Sequence, residues 1–148
     1  MSEQMFDTDS FLNTSTEGEM STEFPVVPAG DFNAVVDDID VRSGEGEKGT
    51  WAVMDITWVI DDAAVAEEMG IDNPKCRQSI FLDFDDSGAL KLGKGKNVGL
   101  GRLREALGQN GPGAWSPAML KGGVARVHVE QRIHEGKTYA DVKYAVKL

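Results

Sequence analysis

Two overlapping stretches within residues 83–95 resemble motifs that hold phosphate or metal ions. Gly88 begins the string G-x-x-x-x-G-K, which opens a P-loop, where backbone amides hold a nucleotide's phosphates and a Ser or Thr hydroxyl holds magnesium. The residue after this string is Gly95, so the hydroxyl is missing and ATP hydrolysis is not expected. Asp83 begins D-x-D-x-S-G, half of a calcium loop, but Lys94 stands where a bidentate Glu is required. These residues predict a polar turn followed by a flexible basic loop.

Catalytic residue types are scarce. His128 and His134 lack cysteine or carboxylate neighbours at the spacing of a zinc site. Cys76 is the single cysteine, which excludes an internal disulfide, and no base partner for it can be identified. No serine lies in a nucleophile-elbow string. We therefore expect a protein without enzymatic activity, bound metal or cofactor.

Aromatic and basic residues remain, and they suit the binding of single-stranded nucleic acid. Rings stack on bases while lysines and arginines track the phosphates. The candidate stacking residues are Trp51, Phe81 and Tyr139. The candidate phosphate contacts are Lys48, Arg77, Lys94, Lys96, Arg126, Arg132, Lys137 and Lys143. The alternative for each aromatic residue is that it covers a neighbouring segment of the chain.

These side chains must be positioned by strands, and period-two alternation predicts five of them. The inward residues of the second and third strands are Ala52, Met54, Ile56, Trp58 and Ile60, then Ile80, Leu82 and Phe84. Those of the fourth and fifth are Ala125, Val127, Val129 and Ile133, then Ala140, Val142, Tyr144, Val146 and Leu148. The remaining alternate positions, which include the three candidate stacking residues, face outward.

The first predicted strand changes phase along its length. Phe32, Ala34 and Val36 alternate, and then Ile39 and Val41 take over. A change of phase within a strand indicates a β-bulge, here at 37–38. Such a bulge would let one strand bend and serve both halves of a closed sheet.

The order of the elements predicts the architecture. Leucines spaced i, i+3 and i+7 from Leu100 predict one longer helix between the third and fourth strands, and Gly108 follows as its C-cap. Two shorter helical segments are predicted at 62–69 and 116–120. Three strands, a helix and two strands form the connectivity of an OB-fold, which commonly binds single-stranded nucleic acid. We expect a mainly β, OB-like five-stranded barrel, with a short helix between its second and third strands. Its ligand would be clasped by the glycine-rich loop 43–50 and the turn 134–137.

Charge is sorted along the chain, although the net charge is −10. Residues 1–24 carry six acids and no base, and residues 25–90 carry fifteen acids and four bases. Residues 91–148 reverse the balance, with eleven bases and four acids. This asymmetry predicts a basic face on an acidic particle, which attracts phosphate by counterion release. The alternative is ordinary solvated charge.

Residues 1–24 are predicted to form an acidic, flexible N-terminal tail, and residues 25–148 a single binding domain. The tail carries two apolar clusters, Met5-Phe6 and Phe11-Leu12. It could recruit a partner, cover the basic face of the domain, or pack casually on its edge. No signal peptide or apolar run long enough for a membrane span is seen, and a single cysteine fits a reducing compartment. We expect a cytoplasmic protein that does not bind membranes.

Three segments resemble small phage-encoded proteins. They are the string Pro28 to Phe32, the helix string Gly99 to Gly108, and the closing region from Leu120 through Val142. Proteins of this group are generally described as single-stranded DNA-binding or replication-associated. The resemblance covers roughly residues 25–148 and implies a protein that coats single-stranded DNA during replication or recombination in the host cytoplasm. It also implies phage replication or recombination proteins as partners, for which the tail is the candidate contact. It implies no catalytic residue.

Two further functions remain open. A virion decoration or cement protein would use the acidic N-terminal segment as an arm on a neighbouring subunit. An acidic inhibitor that mimics DNA would draw on the fifteen acids of residues 25–90. An exposed edge in the fourth or fifth strand would provide a seam for a homodimer.

Overall fold

The five strands, the helix between the second and third strands, and the longer helix before the fourth follow one another in the predicted order. A computed structural model describes residues 6–148, so Glu3 and Met5 of the predicted tail lie outside the described residues. The strands are β1 (Gly30–Gly46), β2 (Gly49–Ile60), β3 (Lys75–Phe81), β4 (Val124–His134) and β5 (Lys137–Val146). The helices are α1 (Thr8–Leu12), α2 (Ala63–Met69) and α3 (Val98–Ala106), with a 3-10 turn at Pro117–Leu120.

The strands form one mixed sheet that closes on itself in the order β1-β2-β3-β5-β4. Neighbouring strands are antiparallel except β3 and β5, which meet in parallel where Arg77 pairs with Asp141. β1 closes the ring because it pairs with β2 along most of its length and with β4 near its start. The expected β-rich fold with one longer helix is confirmed.

The predicted bulge in β1 is present. The register with β2 shifts between Val36 and Asp38, and Ala34 and Val36 before the shift are fully buried. Ile39, after the shift, packs against the core. The change of hydrophobic phase in the sequence therefore corresponds to a β-bulge in the structure.

A second bulge, in β5, was not predicted. Val129 of β4 pairs with Val142 and His128 pairs with Tyr144, so Lys143 has no partner opposite it. The extra residue reverses the alternation, since side chains of a strand change face at every residue. The predictions that Tyr144, Val146 and Leu148 face inward are therefore wrong, because all three are exposed, whereas Ala145 packs against the core.

The core fills the interior of the ring. Its largest member is Trp58, whose Nε1 donates a hydrogen bond of 2.9 Å to Oε1 of the buried Gln78. Leu100 and Leu103 of α3 are also buried in this core, as their spacing predicts. Burying a tryptophan requires a partner for its N–H group, and the pair meets that requirement inside the ring. The prediction of Trp58 as a core residue is confirmed.

Two hairpins extend beyond the ring. The segment predicted as loop 43–50 continues both strands, and only Glu47 and Lys48 form the turn between Gly46 and Gly49. Inward-facing positions of a projecting hairpin have no core to meet. Val41 and Ile133 are therefore exposed, and the prediction that they are buried is wrong.

The short helices are capped as their sequences indicate. The Asp62 side chain accepts hydrogen bonds from the amides of Ala64 and Val65, and Gly70 ends α2 with a φ of 66°. α1 was not predicted, and residues 6–25, which include it, are all exposed. Among residues 6–148, no helix is long and apolar enough to cross a membrane.

Candidate nucleic-acid interface

Two candidate stacking residues lie on neighbouring strands of the outer sheet surface. Phe81 of β3 pairs with Val53 of β2, and Trp51 lies two residues before Val53 on the same face. This diagonal relation places two side chains about 7–8 Å apart. Phe81 is 76% exposed and Trp51 is 41% exposed. Both aromatic side chains are therefore exposed on the same face of the β2–β3 pair.

Trp51 rests on a glycine of the neighbouring strand. It pairs with Gly44 of β1, and a Cβ atom added to Gly44 would lie 2.7 Å from the indole Cζ2 atom. The indole thus packs against bare backbone, which a larger residue at Gly44 would not permit. One side of the ring is held in place while the ring keeps a large exposed area.

A buried carboxylate anchors the centre of this face. Asp55 accepts hydrogen bonds from Arg42 Nε at 2.5 Å and from Ser79 Oγ at 2.6 Å. The hydrogen bond from Arg42 lowers the pKa of Asp55 against the opposing effect of burial, and the Ser79 hydroxyl and the charge of Arg77 lower it further. Asp55 therefore stays ionised and holds Arg42 beside the aromatic pair, since Arg42 lies opposite Val53.

The face continues from β3 onto β5 and β4. Arg77 is exposed and pairs with Asp141, which accepts a 2.7 Å hydrogen bond from Arg132 Nε. The Arg132 guanidinium also lies 4.6 Å above the ring of Tyr139. Trp51, Phe81, Arg77, Tyr139 and Arg132 are thus brought onto one continuous outer surface. We name this surface, together with Arg42, the sheet face.

The other predicted cations lie around the edges of the sheet face or away from it. Lys48 is in the turn between β1 and β2, and Lys137 begins β5 at the tip of the other hairpin. Lys143 lies at the β5 bulge, beside α3. Arg126 belongs to the seam between β4 and the start of β1, where it donates to Asn33 Oδ1 at 3.0 Å. It is not part of the sheet face.

Lys94 and Lys96 lie on a loop whose two ends are tied together. Asn97 Nδ2 donates to the carbonyl oxygens of Asp83 and Lys91, and Asn97 Oδ1 accepts from the Asp83 amide at 2.7 Å. The Asp83 carboxylate completes the exchange by accepting from the Asn97 amide. We name this set of bonds the loop clasp. It gives the predicted flexible loop a fixed base, while both lysines remain exposed.

The seam also holds the more enclosed of the two histidines. His128 contacts Asp31 at 2.8 Å and Glu130 at 3.1 Å, and its ring stacks on Tyr144 at 4.8 Å between centroids. The hydrogen bond with Asp31, followed by that with Glu130, raises the pKa of His128. The seam between β4 and the start of β1 is therefore held by hydrogen bonds and stacking, and its polar side chains bind one another.

Sequence reasoning missed Arg42, Asp55 and Ser79. Arg42 could have been found, because the predicted phase of β1 after its bulge turns this residue outward. The pairing of Asp55 with residues 13 positions before it and 24 after it depends on strand register, which spacing along the chain does not reveal. Cys76 is buried, and this burial raises the pKa of its thiol to about 11, so the group stays protonated at neutral pH.

No protein-family model matches the chain, and no curated protein matches it significantly.

Proposed function

We propose that the chain is a non-catalytic single-stranded DNA-binding protein of a phage, with an OB-like barrel, that coats single strands during replication or recombination in the host cytoplasm. The observation that carries the proposal is the exposed pair of Trp51 and Phe81 on the sheet face. Large apolar side chains exposed together on a strand surface indicate a binding site. Rings in this setting stack on bases of any sequence.

The connectivity supports the OB-like assignment. A ring in the order β1-β2-β3-β5-β4, with α3 inserted between β3 and β4, has the strand arrangement of that barrel. OB-folds bind oligonucleotides over strands 2 and 3, between the loop joining strands 1 and 2 and the loop joining strands 4 and 5. The aromatic pair lies on β2 and β3, and Lys48 and Lys137 occupy the two hairpin tips.

The first test is the loss of a stacking ring. Phe81→Ala is expected to weaken binding of a labelled mixed-sequence 30-nucleotide single strand by about 1–3 kcal/mol, the contribution of one base–aromatic stack. The thermal unfolding midpoint should be preserved, because the Phe81 side chain is largely exposed. Fluorescence anisotropy measures the first quantity and circular dichroism the second.

The matched control is Val41→Ala. Val41 is also an exposed apolar residue, but it projects from the opposite face of the ribbon that carries Trp51. Its truncation should leave the affinity unchanged. Equal binding by Phe81→Ala, Trp51→Ala and the parent protein would show that the strand does not stack on this face. Preference for duplex DNA over the single strand would contradict the proposal as a whole.

A virion decoration or cement protein is the second candidate function. It is favoured by the exposed apolar side chains of the N-terminal segment, which include Phe6, Phe11 and Phe24. An arm of this kind orders when it lies on a neighbouring subunit. High copy number in purified particles, together with absence of single-strand binding, would favour this function over the first.

A further inference from the structure

A belt of lysines and arginine surrounds α3, outside the aromatic part of the sheet face. Its cations come from the loop before α3, from α3 itself and from the end of β5. They are Lys91, Lys94, Lys96, Arg102, Lys143 and Lys147. We name them the basic belt. All six are exposed; Glu105 lies among them, and Asp83 and Asp85 lie near Lys91 at the base of the loop.

The belt differs from the sheet face in how its charges are paired. On the sheet face, Arg42 and Arg132 are bound to carboxylates. Within residues 6–148, no belt cation has a carboxylate oxygen within 4.0 Å. A cation without a protein partner keeps its counterions in solution and can exchange them for phosphates. The belt is therefore the part of the surface best suited to attract a polyanion.

Two clefts give the belt its shape, and they share Arg102 and Glu105 as a common wall. The first, about 420 Å³, lies between the loop before α3 and the helix, and it contains Lys91, Lys96 and Trp115. The second, about 590 Å³, lies between α3 and β5 beside Lys143 and Lys147. Both volumes fall in the range of ligand-binding clefts, about 300–1,000 Å³.

β5 joins the belt to the sheet face. Tyr139 and Lys143 are four residues apart on this strand, which corresponds to about 13 Å at the rise of a strand. The first cleft also offers an aromatic surface, since Trp115 lines it beneath the Arg104 guanidinium at 4.2 Å. A chain of phosphates that leaves the sheet face at Tyr139 would pass Asp141, whose carboxylate is paired with Arg132, and would then reach Lys143 and Arg102.

We infer that the basic belt is a second contact surface for the single strand, which binds the phosphodiester backbone after it leaves the sheet face. This assignment rests on the proposed function. It divides the work between two surfaces, so that the sheet face stacks bases and the belt neutralises phosphates. The net charge of −10 conceals the belt because residues 1–90 carry 21 of the 25 acids of the chain.

The test compares two double variants of equal charge. Arg102→Gln with Lys143→Gln removes two belt cations, whereas Lys75→Gln with Lys121→Gln removes two exposed lysines outside the belt, of which Lys75 is paired with Asp37 at 3.5 Å. Affinity for the 30-nucleotide single strand is measured between 50 and 200 mM salt. Each phosphate contact contributes about 0.7 to the slope of log affinity against log salt. The belt variant should lose about 1.4 from this slope, and the control variant should lose none.

The ratio of the parent's affinity to that of the belt variant should therefore be about seven times larger at 50 mM salt than at 200 mM salt. Phe81→Ala should instead weaken binding with its slope unchanged. If the parent protein binds and both double variants keep its slope, the belt is not a contact surface, although the proposed function stands. Equal losses from both double variants would reflect net charge alone and would also overturn the inference.

Two other outcomes separate this inference from its alternatives. If the parent protein fails to bind the strand at 50 mM salt, the proposed function and the inference fall together. If a peptide of residues 1–24 binds the belt and the strand does not, the belt is a docking surface for the chain's own acidic segment. Circular dichroism of both double variants should match the parent, because all four substituted side chains are exposed.

Discussion

At the scale of single residues, Asp55 determines how the sheet face is built. Its side chain is only 10% exposed, whereas that of its partner Arg42 is 53% exposed. A buried carboxylate requires hydrogen bonds to remain charged, and Arg42 and Ser79 provide them from the two neighbouring strands. The hydrogen bonds of Asp55 therefore link β1, β2 and β3 on the face that carries Trp51 and Phe81.

Asp55→Asn is expected to lower the free energy of unfolding by about 1 kcal/mol at pH 7, because a charge-assisted bond becomes a neutral one with a half-exposed partner. The pKa of Asp55 is lowered in the folded protein from 3.8. Its contribution is therefore present above pH 3.8 and is lost as the pH falls through the folded value. Urea unfolding at pH 7, 4 and 2.5, followed by tryptophan fluorescence, measures the difference.

The difference in the free energy of unfolding between the parent and Asp55→Asn should narrow as the pH falls. It should vanish once Asp55 of the parent is protonated in both the folded and the unfolded state. Asp38→Asn is the matched control, since Asp38 lies on β1, the strand that carries Arg42, is exposed and makes no side-chain hydrogen bond in the described part of the chain. A gap that stays constant between pH 7 and pH 2.5 would mean that the ionised carboxylate does not stabilise the fold.

At the scale of elements, the sequence predicts strands well where the core enforces alternation. The bulge after Val36 was visible because Ala34 and Val36 before it are buried and Ile39 after it packs against the core. The bulge at Lys143 was not, because Tyr144 and Val146 are apolar residues that fit either face by type. The exposed Ile133 shows the other limit, since sequence alternation does not reveal where a hairpin leaves the ring.

The candidate site follows the same division. Outward positions on β2 and β3 predicted the location of Trp51 and Phe81, because alternation there is anchored by Met54 and Ile80 in the core. The basic belt could not be predicted without the tertiary structure, since Arg102 and Lys143 come together only where α3 packs beside β5. Local pattern therefore predicts which face a residue takes, while packing decides which faces meet.

The loop clasp is the element-scale feature that should control access to the loop lysines. Asn97 has a φ of 47°, a left-handed conformation that glycine also adopts easily. Asn97→Gly should therefore keep the backbone and remove the side-chain bonds to Asp83 and Lys91. We expect tryptic cleavage after Lys91, Lys94 or Lys96 to become several-fold faster, because local opening of the loop becomes easier.

Cleavage after Lys48 provides the internal reference for that experiment, because Lys48 is in the exposed turn between β1 and β2 and makes none of the clasp hydrogen bonds. Its rate should not change. Mass spectrometry of the fragments distinguishes the two sites. Equal acceleration at both sites would indicate a global loss of stability, and no acceleration at either would show that the clasp does not restrain the loop.

At the scale of the whole molecule, the basic belt and the exposed aromatic side chains of the sheet face lie on different surfaces, and the acidic N-terminal segment passes close to the sheet face. Phe24 and Val26 line a cleft of about 380 Å³ together with Lys137 and Tyr139. The end of the segment is thus beside the sheet face. Val27 is buried, and its carbonyl accepts a 3.0 Å hydrogen bond from Gln131, so the folded domain is held from that residue onward.

Removal of residues 1–24 is therefore expected to leave the thermal midpoint unchanged and to raise the affinity for the single strand several-fold at 50 mM salt. The six acids removed change the net charge from −10 to −4, and repulsion of phosphate near the sheet face falls accordingly. Because charges in solvent are screened over about 10 Å at 0.1 M salt, the gain in affinity should fade as salt is added.

A full-length chain with those six acids replaced by Asn or Gln separates the effect of charge from the effect of bulk. If it binds like the deletion, the segment acts by electrostatic competition. If it binds like the parent while the deletion binds tightly, the segment acts by covering Tyr139, and a deletion that weakens binding would make the segment part of the interface.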